Sequence, residues 1–223
     1  MSFFKAKRNV EDVKQSGGNH IGSSGMYPVE LITAIVNVSK NGSTSVEPYV
    51  DYEGRKQVIY GNMRINDNDG SDNEIGRKLF NQLVVIADLD SLEDPVEVDL
   101  PVGKRGADKT VDVLEDIDSV NVIIRIQMVY GEWNGKITEK TAIKGFYRED
   151  RASAEEIVTE SEVGVQYEKD MAYVDNITYK DGLTAEDVAE WIAKGRPDNR
   201  TGGSAPKTAK KSAFGKKRFG KSE

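Results

Sequence analysis

An apolar residue occupies every second position in the middle of the chain, over VNVIIRIQMVY at 120–130. One face of this segment is apolar and carries Val122, Ile124, Ile126, Met128 and Tyr130. Arg125 and Gln127 fall on the opposite face, so the period of two predicts a strand with one side against a core. A short turn, GEWNG, follows, and KITEKTAIKGFYRE at 136–149 returns as a second strand. The two segments predict a long β-hairpin.

The first part of the chain predicts three shorter strands and a helix. VELITAIVNVS at 29–39, SVEPYVDY at 45–52 and QVIYGNMRI at 57–65 are rich in β-branched residues and are separated by glycine-containing turns. In the helical segment that follows, Ser71 and Glu74 have the spacing of a capping box. One face of this helix is apolar: Ile75, Leu79, Leu83 and Ile86. The stretch at 96–114 is interpreted as a loop.

A second helix is predicted near the end of the patterned region. LTAEDVAEWIAKG at 183–195 has a favourable N-cap residue in Thr184 and a C-terminal glycine in Gly195. The order of three strands, a helix and a hairpin predicts a mainly β fold, an OB-fold-like five-stranded antiparallel barrel with one helix between strands 3 and 4. An unrelated antiparallel sheet with one helix remains the alternative. We expect a C-terminal helix and a disordered basic tail in addition.

These elements divide the chain into four expected parts. Residues 1–25 form a flexible, glycine- and serine-containing N-terminal segment, and residues 26–150 form the main domain. Residues 151–196 are an acidic segment with one helix. Residues 197–223 contain Gly, Ser, Pro and Lys without apolar periodicity, which is typical of disorder.

Composition excludes several classes of chemistry. The chain has no cysteine, so a thiolate site is excluded. Its one histidine, His20, lies in the predicted flexible segment, so no Ser-His-Asp triad is expected. No P-loop or dinucleotide-binding glycine pattern is present. We expect no catalytic residue, no metal and no cofactor, although a metal-dependent nuclease built on the many carboxylates remains an alternative. With no signal peptide and no membrane-length apolar run, the expectation is a cytoplasmic protein without a membrane contact.

Charge is divided unevenly along the chain. The net charge is −7, from 31 basic and 38 acidic residues. Residues 200–223 hold eight of the basic residues and one acid, which leaves 23 basic and 37 acidic residues, a net of −14, for the rest. A body this acidic repels polyanions, so a contact with nucleic acid requires a local basic groove or the tail.

Both predicted hairpins combine aromatic and basic side chains, which is the combination that binds single-stranded nucleic acid. In the first hairpin the candidate residues are Tyr49, Tyr52, Arg55, Lys56, Tyr60 and Arg64. In the second, Trp133 lies in the turn beside Lys136, and period-two counting places Lys140, Lys144 and Phe146 on one face of the returning strand. Arg125 is expected on the non-core face of the partner strand. In the competing interpretation, Trp133 folds back over the barrel and the tyrosines are ordinary strand residues.

The basic tail interleaves cations with two phenylalanines. Its candidate contact residues are Lys210, Lys211, Phe214, Lys216, Lys217, Arg218, Phe219 and Lys221. Such a segment can stack on bases, neutralise phosphates or dock on an acidic partner, and it can reduce repulsion between acidic bodies that associate along one strand. An inert, solubilising tail is the remaining alternative.

GMYPVELITAIVNVSKNGSTSVEPYVDYEGRKQVIYGNMRI at 25–65 and NEIGRKLFNQLVVIADL at 73–89 resemble the opening of OB-fold single-stranded DNA-binding proteins of tailed bacteriophages. A YxVxI-like strand, a G(R/K) hairpin and an IGRxxLxxL-like helix follow in the same order, and the similarity extends over about 25–148. The resemblance implies a non-enzymatic protein, in the host cytoplasm, that coats and protects single-stranded DNA during phage replication and recombination, with a further role in transcription left open.

The basic C-terminus departs from that family. Many replication proteins of this kind end in an acidic tail that recruits enzymes, whereas here the acidic stretch is internal, at 149–170. Candidate partners of the basic tail are replication, recombination or transcription proteins. The competing function is an OB-like protein-interaction module with a basic docking tail and no direct contact with nucleic acid.

Overall fold

In the computed structural model, residues 19–61, 63–103 and 106–196 can be described. They form one mainly antiparallel sheet of nine strands and four helices, which confirms the mainly β class; the prediction had five strands. The strands are β1 Gly25–Val38, β2 Thr44–Tyr52, β3 Arg55–Val58, β4 Arg64–Asn66, β5 Val96–Leu100, β6 Lys109–Leu114, β7 Val120–Trp133, β8 Lys136–Arg148 and β9 Ile177–Tyr179. The helices are α1 Glu74–Ile86, α2 Ala154–Thr159, α3 Val165–Met171 and α4 Ala185–Ala193.

The long strand β1 organises the sheet. It pairs with β2 along one edge, while β7 and β6 share its other edge, β7 from Gly25 to Leu31 and β6 from Ala34 to Val36. β2 continues to β3 and β4, β6 to β5, and β7 to β8, all antiparallel. β9 runs parallel to β7 beyond the end of β1.

The main core lies between the sheet and α1. Leu31, Leu83, Ile124 and Phe146 are among its fully or almost fully buried side chains. α1 fits closely against β4, because a Cβ atom at Gly76 would lie 1.8 Å from the carbonyl oxygen of Arg64. Only glycine permits this approach of a helix to a strand backbone.

The start of α1 differs in two respects from the prediction. Asn73, not Ser71, caps the helix, and its side chain accepts a hydrogen bond from the Gly76 N–H. Leu79, Leu83 and Ile86 are buried as expected, but Ile75 is exposed in the first turn. The contact between Gly76 and β4 fixes how the helix is rotated, and this rotation turns Ile75 towards solvent.

The segment predicted as a loop contains the hairpin β5–β6. Val111 and Val113 of this hairpin pack with Ile35 and Tyr49 in a second apolar cluster. Glu97 pairs with Asp112 on the opposite face, which is exposed. VEVDL at 96–100 and VDV at 111–113 alternate apolar and acidic residues, which is the pattern of a half-buried strand, so the interpretation as a loop was wrong.

Residues 151–196 contain three helices and β9, where the sequence predicted one helix. The predicted helix is α4, which begins with a capping box between Thr184 and Asp187. Its buried residues Val188 and Trp191 pack against Met128 and Tyr130, near the C-terminal end of β7. Within the described ranges, none of the helices combines the length and the hydrophobicity needed to cross a bilayer.

Candidate nucleic-acid interface

The hairpin β7–β8 ends in a tight turn that exposes Trp133. Asn134 and Gly135 have φ angles of 53° and 75°, as required at the two central positions of a type I′ turn. Trp133 pairs with Lys136 across the turn and is 71% exposed. The interpretation in which Trp133 folds back over the fold is therefore wrong.

The register of the hairpin places Trp133, Lys136 and Lys140 on one face. Trp133 lies opposite Lys136, Gly131 opposite Thr138, and Val129 opposite Lys140. Residues directly opposite one another in an antiparallel pair share a face, and so do residues two apart along a strand. We call Trp133, Lys136 and Lys140 the hairpin face; it is the outer face, opposite the one that α4 covers.

A β-bulge at Lys144 changes the face of β8 on which Phe146 lies, compared with the prediction. Arg125 pairs with Gly145 and Ile126 with Ile143, so Lys144 is an extra residue in β8. The extra residue reverses the alternation beyond it. Lys144 remains exposed, but Phe146 is buried at 2% exposure in the main core. The prediction that Phe146 contacts a ligand is wrong.

Arg125 lies on the non-core face, as predicted, but it is not a free cation. Its guanidinium lies 2.6 Å from a carboxylate oxygen of Asp170 in α3, and both side chains are less than one-fifth exposed. The Tyr147 hydroxyl donates to the other oxygen of Asp170. Burial, together with this hydrogen bond to a carboxylate, raises the pKa of Tyr147 well above its usual range. Arg125 therefore holds α3 on the sheet and is not available to a phosphate.

Two of the tyrosines in the first hairpin are also engaged within the fold. Tyr49 is buried at 3% exposure in the second apolar cluster, which corrects the prediction of a binding role. Tyr52 packs edge-to-face on Tyr27, with ring centroids 5.4 Å apart. Arg55 and Lys56 are exposed beside the β2–β3 turn.

Tyr60 has a different position, at the rim of a cavity of about 770 Å³. It is 63% exposed, and its carbonyl oxygen accepts a 2.6 Å hydrogen bond from the Thr141 hydroxyl of β8. Lys140 of the hairpin face also lines this cavity, whereas Met128, Glu139 and Thr141 line it from the opposite face of the hairpin. We call it the Tyr60 cavity; its floor is partly apolar, formed by Ile21, Val58, Ile59 and Met128.

The sequence did not identify two basic side chains that line the Tyr60 cavity, His20 and Arg196. The side chain of Gln57 holds the His20 segment, since it bonds to His20 Nδ1 at 2.9 Å and accepts from the Ile21 N–H. Arg196 donates two hydrogen bonds to Glu139, at 2.9 and 3.1 Å, and lies over the Trp191 ring. This pairing with Glu139 raises the pKa of Arg196. Neither contact has a local sequence pattern, because each joins segments that are distant in the chain.

Arg64 lies apart from this group. It pairs with Asp67 at 3.2 Å and lines a different cavity, with Asn37, Ser45 and Ile75. The predicted tail residues, from Lys210 to Lys221, lie outside the described residues. Among the residues that the structure describes, no group of three or more His, Asp or Glu side chains could hold a metal ion.

The chain was also compared with known proteins. Neither the protein-family models nor the curated proteins that were searched contain a match to it.

Proposed function

We propose that this protein is a sequence-tolerant single-stranded DNA-binding protein of a tailed bacteriophage. It coats and protects single strands during replication and recombination, with transcription as a further process in which it can act, and has no enzymatic activity. The observation that carries the proposal is that Lys140 belongs to the hairpin face and also lines the Tyr60 cavity. Each of the two surfaces has an exposed aromatic ring, Trp133 on the hairpin face and Tyr60 at the cavity.

This arrangement suits an unpaired strand for two reasons. Trp133 and Tyr60 expose 71% and 63% of their surface, so their ring faces are accessible to bases. Stacking tolerates any base, because every base has a π face. Lys136 and Lys140 lie on the same side as Trp133 and supply positive charge for phosphates, in a body that is otherwise strongly acidic.

An OB-fold barrel is part of the proposal. β1 to β4, α1 and the hairpin β7–β8 follow the order of strands and helix in that fold, with β5, β6 and β9 as additions. Two contacts between the β3–β4 connection and β8 support closure of a barrel. One is the Thr141–Tyr60 hydrogen bond, and the other is the close approach of Gly61 to Ile143, where a Cβ would lie 2.7 Å from Cδ1.

The test is a titration of fluorescein-labelled oligo-dT with the full-length protein and matched variants. Trp133→Ala is expected to weaken binding about 5- to 150-fold, which corresponds to the ~1–3 kcal/mol of one base stack. Tyr60→Ala should have an effect of the same order, whereas Tyr173→Ala, which removes another exposed tyrosine, should have none. Oligo-dT should quench the fluorescence of exposed Trp133 but not that of buried Trp191.

Salt dependence tests the cations. Lys140→Gln should reduce the slope of log K against log salt by about 0.7, the value for one phosphate contact with a single strand. Lys40→Gln, at an exposed turn between β1 and β2, should leave the slope unchanged.

Wild-type protein that neither shifts labelled oligo-dT nor is quenched by it at low salt would refute the proposed function. The protein-interaction module with a docking tail would then become the better hypothesis. Binding by wild type that is indifferent to Trp133→Ala and Tyr60→Ala would refute the proposed surface.

A further inference from the structure

The side chain of Gln57 in β3 holds the segment before β1 through two backbone contacts. Its Nε2 donates to the Asn19 carbonyl oxygen at 3.0 Å, and its Oε1 accepts from the Ile21 N–H at 3.1 Å. Turning the amide over would place one N–H against another and one oxygen against another. The two contacts therefore fix the orientation of the Gln57 amide.

This orientation determines which nitrogen of the His20 ring carries hydrogen. Nδ1 of His20 lies 2.9 Å from Oε1 of Gln57, and because that oxygen is an acceptor, Nδ1 has to donate. The neutral ring then has its free lone pair on Nε2. A proton taken up at Nε2 adds a positive charge and a second donor without breaking the hydrogen bond to Gln57.

His20 is exposed and lines the Tyr60 cavity, where it shares the lining with three charged side chains. Lys140 and Glu139 come from β8, and Arg196 follows α4. The Glu139 carboxylate already accepts hydrogen bonds from Arg196 and from the Tyr130 hydroxyl. The acid at this cavity is therefore engaged by groups other than His20.

The other elements around His20 contribute charge at a greater remove. The Asn19 side chain donates to the carbonyl oxygen of Glu53 in the β2–β3 turn at 2.7 Å, and the Glu53 side chain is exposed. Lys56 precedes Gln57 in β3 and so lies on the opposite face of that strand. β7 lines the cavity with the uncharged Met128.

We infer that His20 is a further phosphate-binding residue of the proposed DNA site, and that it acts as a cation once Nε2 is protonated. Imidazole side chains change charge between about pH 5 and pH 8. A phosphate in the cavity favours the protonated ring, because an opposite charge stabilises it. By linkage, protonation strengthens binding of the strand by the same factor, so affinity rises as the pH falls. This inference rests on the proposed function and adds a pH dependence to it.

The first test compares binding at about pH 5.5 and about pH 8, using oligo-dT that carries a dye whose emission does not change with pH. For wild type, affinity should be about 3- to 10-fold higher at the lower pH. The slope of log K against log salt should also be steeper there by about 0.7, the value for one phosphate contact.

Two variants of the same residue are the controls. In His20→Gln, the amide can still donate to Gln57 but does not titrate, so the affinity should be the same at both pH values within about twofold. In His20→Lys, the side chain is charged at both pH values, so the steeper salt slope should be present at both.

The second test follows the ring itself by NMR, since His20 is the one histidine of the chain and its signals need no assignment. At about pH 8 the ring of the free protein should be in the Nδ1–H form. Unlabelled oligo-dT should move the midpoint of the His20 titration to higher pH by about 0.5 to 1 pH unit, which matches the 3- to 10-fold gain in affinity.

The outcomes separate this inference from the proposed function. An Nε2–H ring in the free protein, a titration midpoint that DNA does not move, or a pH dependence that persists in His20→Gln would each overturn the inference. The proposed function would stand in all three cases if wild type binds oligo-dT at pH 8. If wild type binds oligo-dT at neither pH, even at low salt, the proposed function fails and the inference fails with it.

Discussion

The ion pair between Arg125 and Asp170 provides a sharp test of which cations are available to DNA. Arg125→Met keeps most of the side-chain volume and removes the charge, while Asp170→Asn keeps the shape of the partner. Each variant leaves one partly buried charged or polar group without its counterpart. We expect each to destabilise the fold and neither to weaken DNA binding.

The geometry of the ion pair sets the expected loss of stability. Two unit charges about 4 Å apart attract by about 4 kcal/mol at an effective dielectric constant near 20, and the lost hydration of both groups offsets part of this. The two side chains are 16% and 17% exposed, with a nitrogen–oxygen distance of 2.6 Å, so the pair is only partly screened by water. We expect each single variant to lose about 2–3 kcal/mol of unfolding free energy, with a coupling energy near 2 kcal/mol.

Urea denaturation of wild type, both single variants and the double variant gives the coupling energy directly. The DNA measurement is the salt slope for Arg125→Met, which should equal that of wild type because Asp170 already neutralises the guanidinium. A coupling energy below about 0.5 kcal/mol would contradict the structural assignment. A slope lower by about 0.7 would return Arg125 to the DNA site.

Two further variants test how the helices are held. The Glu156 carboxylate accepts hydrogen bonds from the backbone N–H groups of Ser153, Gly164 and Gln166. These bonds lower the pKa of Glu156 to about 2, although burial alone would raise it. Glu156→Gln should therefore lower the free energy of unfolding by about 2 kcal/mol at pH 7. Because the pKa of Glu156 in the folded state lies below the unfolded value near 4.5, the stability difference between wild type and variant should fall by about half by pH 3 in urea titrations. A stability difference that does not change with pH would refute this prediction. Gly76→Ala should lower stability by more than about 2 kcal/mol in thermal melts, against the usual gain from alanine in a helix, because the added Cβ meets Arg64. Asn81→Ala, at an exposed position of the same helix, is the control and should be close to neutral.

Several elements could be predicted because their determinants are local. The hairpin β7–β8 was predicted to within three residues at each end, since its alternation and its Asn-Gly turn are both read from adjacent positions. α4 has the Thr184 cap and the glycine end expected of it. Exposure of Trp133 follows from the same local chemistry, because a two-residue turn at the tip of a hairpin leaves its side chains few neighbours.

Other expectations failed because the deciding contact is distant in the chain. Ser71 has the capping-box spacing, yet Asn73 caps α1, since the helix has to meet β4 at Gly76. The alternation in β5 and β6 is local, but the partners that bury Val111 and Val113 are Ile35 and Tyr49, which are distant in the chain.

The sequence by itself determined the strand-rich class, the exposed turn with its tryptophan and the separation of a basic tail from an acidic body. Periodicity, turn chemistry and charge are properties of neighbouring residues. Tertiary structure decided that Phe146 is core, that Arg125 belongs to Asp170, and that Tyr60, Lys140 and Arg196 meet at one cavity. A one-residue bulge at Lys144 and packing between segments far apart in the chain set these outcomes, because a change of register reverses every side chain beyond it.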